Sequence, residues 1–196
     1  MTSASSYREA TRARLRESLV AAARALTVAH GWEHVRMADV ASAAGVSRQT
    51  VYNEFEGRPG LAEALATAEI RHFVAAVREQ LFAHGADVRA AAHAAILHTL
   101  REAEANPLVR AILTSARGGA DELFPFLTTR SGIVLEAAGA VVEEWAAAHL
   151  PDADPAVVHL AAASIIRLTV SHIVLPLGDP ATSATALAEV FVRLMR

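Results

Sequence analysis

Apolar side chains recur along this chain at the three-to-four-residue spacing of amphipathic helices. Leu15, Leu19, Val20, Ala23 and Leu26 set that rhythm in a first helix, expected over about residues 8–30 and ended by Gly31. A shorter helix over about 37–44 stops at Gly45, and Ser47 is placed to cap a third that runs to about Phe55. From Pro59 to about His84 a long helix presents Ile70, Phe73, Val77 and Leu81 on one face. Asp87 then caps a helix ending near Glu104, and Asn106-Pro107 opens a short one that stops at Gly118-Gly119. A further short turn of helix falls within about 120–127. Helices over about 129–150, from Pro155 to Pro176, and over about 181–196 bring the number to nine or ten.

Composition strengthens this all-α reading. Ala fills 45 of 196 positions, and it loses no side-chain entropy in a helix. Apolar residues make up 53% while Gly and Pro together number 17, which argues against both a disordered chain and a many-turned β fold. The length suits one ordinary domain or a small module fused to a larger one. With no cysteine present, disulfide scaffolds, Cys-ligated metals and thiol nucleophiles are excluded. The first 16 residues lack an apolar core resembling a signal peptide. Residues 156–177 are apolar enough to raise a membrane question, but they carry His159, Arg167 and His172. A charge near a bilayer centre costs about 2.5–3.5 kcal/mol on insertion scales, so a buried interface helix is the better reading. A soluble, cytoplasmic protein without a membrane partner is expected.

The net charge of −3 does not by itself favour nucleic acid. Its distribution says more: residues 1–60 hold eight Arg and six acids, whereas residues 61–196 hold ten Arg and fifteen acids. The basic end also holds the most informative stretch, V-R-M-A-D-V-A-S-A-A-G-V-S-R-Q-T-V-Y-N-E-F, residues 35–55. It reads as two short helices around a tight turn. Ala41 is small where the helices approach, and Gly45 is free to take the left-handed conformation such a turn needs. Val40, Val46, Val51 and Phe55 point inward, leaving Arg48, Gln49, Thr50, Tyr52 and Asn53 outward. In a major groove Arg48 suits guanine, Gln49 or Asn53 suits adenine, and Thr50 suits a base edge or a phosphate. The Ser47 hydroxyl and the helix N-terminus suit phosphate oxygens. The alternative is an ordinary helical hairpin with a solvated polar face.

The block from Gly31 to Leu61 resembles the N-terminal domain of the TetR family of transcriptional repressors. The matching residues are Asp39-Val40-Ala41, Ala44 to Ser47, the Thr50/Tyr52/Phe55 set, Arg58 and Leu61. The resemblance implies a homodimeric, all-helical repressor of double-stranded operator DNA, with residues 1–58 as the DNA-binding domain and 59–196 as a ligand-binding and dimerisation domain. It also implies that Tyr52 rests on the DNA backbone and that Arg58, opening the fourth helix, holds a phosphate. Two departures stand out. Val35-Arg36 replaces the Thr that commonly starts the second helix, so Arg36 is expected to supply that phosphate contact. Glu54 puts an acid on the recognition helix, where it must pair with a nearby Arg or point away from phosphates.

Beyond residue 59, one-sided helices either pack as ordinary core or enclose a cavity lined by Phe73, Val77, Leu97, Ile112, Phe124, Phe126 and Trp145. The resemblance implies a ligand pocket, and so apolar a lining suits a small hydrophobic or acyl-type effector. The helix after Pro155 is apolar nearly all round and must be buried on most sides. With the last helix it is expected to form a four-helix bundle across a two-fold axis, through Val157, Ala161, Ile165, Leu168, Leu187, Phe191 and Leu194. Burial in the chain's own core is the alternative.

Nothing in the sequence points to catalysis. H-E-x-x-H, G-x-S-x-G and the Gly-rich phosphate loops are absent, and the nine histidines show no metal-ligand spacing. No cofactor, catalytic residue or metal is expected. His98, His159 and His172 are candidates to hydrogen-bond a ligand or to sit satisfied in the core. The expected function is therefore a ligand-responsive repressor, set against a helical carrier protein whose DNA-binding module no longer works.

Overall fold

The computed structural model describes residues 3–115, 122–130 and 132–196. Among these there are ten α-helices and no strand. They are α1 (Ser3–His30), α2 (Met37–Ala43), α3 (Arg48–Phe55), α4 (Arg58–Phe82), α5 (Val88–Ala105), α6 (Pro107–Ser115), α7 (Phe124–Leu127), α8 (Gly132–His149), α9 (Pro155–Val174) and α10 (Pro180–Leu194). The caps explain most of the boundaries. Asp87, Asp154 and Asp179 each accept a backbone N–H of the following first turn, and Pro155 and Pro180 open their helices where no amide partner is needed. Asn106 serves twice: its N–H closes α5 on Glu102, and its side-chain oxygen accepts from Leu108 and Val109 to open α6.

Helix α1 begins earlier than the apolar spacing suggests, because its first turns carry no apolar stripe to mark them. A short 3₁₀ turn at Trp32–His34, which the spacing does not signal, follows Gly31 at φ 82°. The expected stop at Gly118-Gly119 and the start of the 120–127 turn lie outside the described residues; α7 supplies the rest of that turn.

By packing, the chain forms two compact units, residues 1–68 with 111–124, and residues 69–110 with 125–196. In the first, α1, α2 and α3 close around Leu19, Val40, Val51, Phe55, Leu61 and Leu65, each at most 4% exposed. In the second, α5 lies along α10, and α9 packs against α5, α8 and α10. Trp145, Phe191, Ile165 and Leu187 sit in that core, and each such side chain contributes about 1.5–3 kcal/mol by leaving water.

This core corrects the expected dimer face. Ala161, Ile165, Leu187 and Phe191 are all buried within the second unit itself, since α9 and α10 turn their small and large apolar side chains onto α5. Val157 is half-buried, and only Leu168 and Leu194 of the expected set remain exposed. The exposed apolar positions nearby are Leu160, Leu175, Leu177 and Val190. Helix α9 is also the one described helix long and apolar enough to cross a membrane. It packs against α5, α8 and α10 and carries Arg167, but only 28% of its apolar stretch is buried within this chain, less than the burial on most sides expected from its composition.

Candidate nucleic-acid interface

The turn between α2 and α3 depends on one glycine. Gly45 takes φ 68°, its N–H bonds to the Ser42 carbonyl at 3.2 Å, and Val46 N–H reaches back to Ala41 at 3.0 Å. Ser47 then caps α3, its Oγ accepting from Thr50 N–H at 3.1 Å and lying 2.8 Å from the Thr50 hydroxyl. Val40, Ala41, Val51 and Phe55 are buried and fix the crossing, while Val46 is half-buried at the rim.

With that face spent on packing, α3 turns Arg48, Gln49 and Asn53 into solvent, with Thr50 and Tyr52 half-buried beside them. These side chains are ordered in pairs one helical turn apart. Arg48 Nη2 donates to the Tyr52 hydroxyl at 3.3 Å and its guanidinium lies 5.3 Å from the ring centroid; Gln49 Nε2 donates to Asn53 Oδ1 at 2.8 Å. The Tyr52 bond favours the charged form of Arg48 further, and the guanidinium stays exposed. A row of a guanidinium, two amides and two hydroxyls matches what base edges and phosphates present in a major groove.

Glu54 does not oppose this row. Both its carboxylate oxygens accept from Arg12 Nε at 3.0 Å, and its backbone carbonyl accepts from Arg16 Nη1 at 2.8 Å. Arg16 also lies 4.5 Å from the Phe55 ring centroid. Neither arginine stands out in the motif, although the abundance of Arg in the first helix is visible in the sequence. Arg36 is the N-terminal cap residue of α2; its carbonyl accepts from Asp39 and Val40, and its exposed side chain has no hydrogen bond or ion pair among the described residues.

Arg58 stands apart from the other expected DNA contacts. It opens α4 as expected, but its Nη2 donates to the Trp32 carbonyl and its Nη1 lies 3.6 Å from Glu122. Trp32 Nε1 donates to the same carboxylate at 3.1 Å. The guanidinium is thus engaged by Trp32 and Glu122.

The expected pocket residues are divided between the two units. Trp145 is fully buried in the core of the second, donating to the Gly85 carbonyl at 3.0 Å, and Val77 and Leu97 pack against that same core. Phe126 is buried and Phe73 half-buried in that unit; Ile112 and Phe124 belong to the first. Leu97 also edges an open groove of about 440 Å³ with Gln80, His93, His98 and Arg101. His159 is exposed and bonded to Glu143, and His172 caps the Leu168 carbonyl. Among the described residues no three His, Asp or Glu side chains converge to hold a metal ion.

Two short helices locked by a left-handed glycine, the second capped and polar on its outer face, define a helix-turn-helix DNA-binding protein. Residues 19–65 match the family described as bacterial regulatory proteins, tetR family, and residues 87–193 match the bacterial tetracyclin repressor C-terminal domain. The chain belongs to the TetR family of transcriptional regulators, which are DNA-binding regulators and not enzymes. It is 33% identical to the HTH-type transcriptional regulator AlkX of Mycobacterium tuberculosis over 87% of this chain and 80% of that protein. The crystal structure of the TetR family repressor AlkX from a Dietzia species, implicated in biodegradation of n-alkanes, superposes with a TM-score of 0.75. Its identity is 32%, covering 91% of this chain and 94% of that one. RolR in complex with resorcinol shares the fold at a TM-score of 0.65 and 19% identity, over 95% and 90% of the two chains.

Proposed function

We propose that this regulator is a repressor that binds a pseudo-palindromic operator as a homodimer and is released by a small hydrophobic effector. The observation that carries this is the outward row on α3, with Arg48, Gln49, Thr50 and Asn53 offered to bases and Ser47, Tyr52 and Arg36 to phosphates. Residues 1–58 act as the DNA-binding domain and 59–196 as the effector and dimer domain. A second copy covers the exposed Leu160, Leu168, Val190 and Leu194 of α9 and α10, since apolar positions so grouped favour a protein partner. Operator DNA as the target supports a cytoplasmic location.

The effector acts by linkage. Two recognition helices must stand about 34–36 Å apart to meet successive major grooves, and a ligand that prefers another spacing weakens DNA binding by its differential affinity. Helix α4, which contributes residues to both packing units, is the element through which the two events communicate. The effector we favour carries a hydrocarbon chain. The apolar character of Phe73 and Phe126 in the second unit supports that choice, as does the link of the Dietzia relative to n-alkane biodegradation.

A duplex selected from random-sequence DNA by the purified protein provides the test. Its anisotropy is titrated at two salt concentrations against an unrelated duplex, then with n-alkanes, alkanols and fatty acids of increasing chain length. Competitor-resistant, salt-sensitive binding that one of these chains weakens is the expected result. Failure to prefer any selected sequence defeats the DNA reading, and specific binding indifferent to every hydrocarbon chain defeats the effector assignment.

A further inference from the structure

Helix α1 runs well beyond the packed helix-turn-helix. Its first fully buried side chain is Leu19, and from residue 6 to 18 every side chain except the half-buried Leu15 is exposed. The family match likewise begins only at residue 19. Yet the stretch is continuous with the rest of α1, and it holds Arg8, Arg12, Arg14 and Arg16 against Glu9 and Glu17. Arg8, Arg12 and Arg16 follow one another at four-residue spacing and so share one side of the helix.

That side is tied to the recognition helix. Arg16 is fixed by the Glu54 carbonyl and the Phe55 ring, and Arg12 by the Glu54 carboxylate. Arg12 binds Glu54 through Nε, which leaves both its terminal amino groups outside that contact. Its side chain is 67% exposed while that of Glu54 is only 10% exposed. The acid is therefore covered and the guanidinium is presented. The side chain of Arg8, one turn further out, makes no hydrogen bond or ion pair among the described residues.

We propose that residues 6–18 of α1 form a second DNA-contacting element, in which Arg8, Arg12 and Arg16 take backbone phosphates beside the site read by α3. This rests on the reading of α3 as the helix that enters the groove. Phosphate is the partner the chemistry selects: the stripe offers planar multi-donor cations in a row, continuous with a polar recognition surface. A membrane surface fits poorly: Tyr7 is the one large apolar side chain exposed in this stretch, and the exposed positions between the arginines are Glu9, Ala10, Thr11, Ala13 and Arg14, which give no apolar face to enter lipid.

The experiment measures the slope of log affinity against log salt for the selected duplex, with several flanking base pairs at each end. Wild type is compared with Arg8→Ala and with Arg8→Ala/Arg12→Ala. Each phosphate contact contributes about −0.9 to the slope, so the double variant is expected to lose about 1.8 per protomer. The affinity lost between about 50 and 200 mM salt then shrinks about tenfold per protomer. Discrimination between the operator and its single-base variants stays as in wild type. Arg8→Ala alone, which removes no side-chain hydrogen bond or ion pair among the described residues, is expected to lose about half as much slope. An unchanged slope in a wild-type protein that binds specifically overturns this proposal and leaves the regulator reading intact. Altered base discrimination at constant slope also overturns it, since α1 would then act only by supporting α3. Absence of specific binding by wild type overturns both readings together.

Discussion

The guanidinium of Arg58 stands 5.0 Å from the centroid of the Trp32 ring and donates to the backbone carbonyl of the same residue at 2.5 Å. Glu122 completes the set by accepting from Trp32 Nε1 and facing Arg58 Nη1. One cation thus joins the first turn of α4 to the 3₁₀ turn that follows α1, through a hydrogen bond, a ring face and an ion pair. Its Nε is buried without a hydrogen-bond partner, a desolvation cost that these other contacts offset.

Replacing Arg58 with Ala is expected to destabilise the protein by about 2 kcal/mol, summing a charged hydrogen bond and a cation–π contact. Thermal unfolding followed by tryptophan fluorescence reads the loss directly, because Trp32 is one of only two tryptophans. The salt slope of DNA binding should not move. A reduced slope with unchanged melting would return Arg58 to the phosphates.

Gly60 carries a sharper constraint than its place in α4 suggests. A Cβ built there meets the Phe55 carbonyl oxygen at 2.1 Å, and backbone offers no rotamer by which to yield. Gly60→Ala must push the end of α3 away from α4, and overpacking of this kind costs about 3 kcal/mol. We expect a lower melting temperature and weakened operator binding together. Wild-type melting in this variant would mean that α3 and α4 separate more easily than their contact implies.

Much of this architecture was legible in the sequence where a local rule decides the outcome. Ser47, Asp87 and Asn106 cap helices because a short acceptor side chain meets free amides within three residues, whatever lies elsewhere. Gly45 was legible for the same reason. The need of Glu54 for an arginine was also readable, but its partners Arg12 and Arg16 depend on how α1 crosses α3, which no spacing records. The contacts of Arg58 with Trp32 and Glu122 are not readable from spacing, because Glu122 lies far along the chain. On α9 the failure has another cause. A helix apolar on all sides has no periodicity to divide its own core from a partner's surface, so nothing in the spacing marks Ala161 and Ile165 as buried in the chain's own core.

The paired side chains on α3 predict how its specificity is divided. If Arg48 contacts guanine, Arg48→Ala is expected to cost about 1–3 kcal/mol of operator affinity and to relax preference at one base pair per half-site. Tyr52→Phe keeps the ring under Arg48 but removes the hydroxyl that accepts its proton. It should weaken binding less, and equally across operator variants. Affinities measured on every single-base operator variant separate these outcomes. A uniform loss for Arg48→Ala would make it a phosphate contact.

At the other end of the chain, Asp179 sets an acid limit on stability. Its carboxylate accepts the Thr182 hydroxyl at 2.6 Å and the Thr182 and Ala181 amides at 3.0 and 2.9 Å, capping α10. Those bonds, the Thr182 hydroxyl foremost, hold its pKa below the ordinary 3.8. The folded state therefore prefers the ionised form. Its stabilisation is complete above the ordinary carboxylate range and is lost as pH falls below 3.8 through the depressed folded value. Asp179→Asn keeps an acceptor for the cap but cannot titrate, so its melting temperature should lie below wild type at neutral pH and converge on it in acid. Helix α10 buries Leu187 and Phe191, so a lost cap is felt in the core and not only at the helix end. Parallel melting curves for the two proteins at every pH would show that the cap works through geometry alone, with no contribution from its charge.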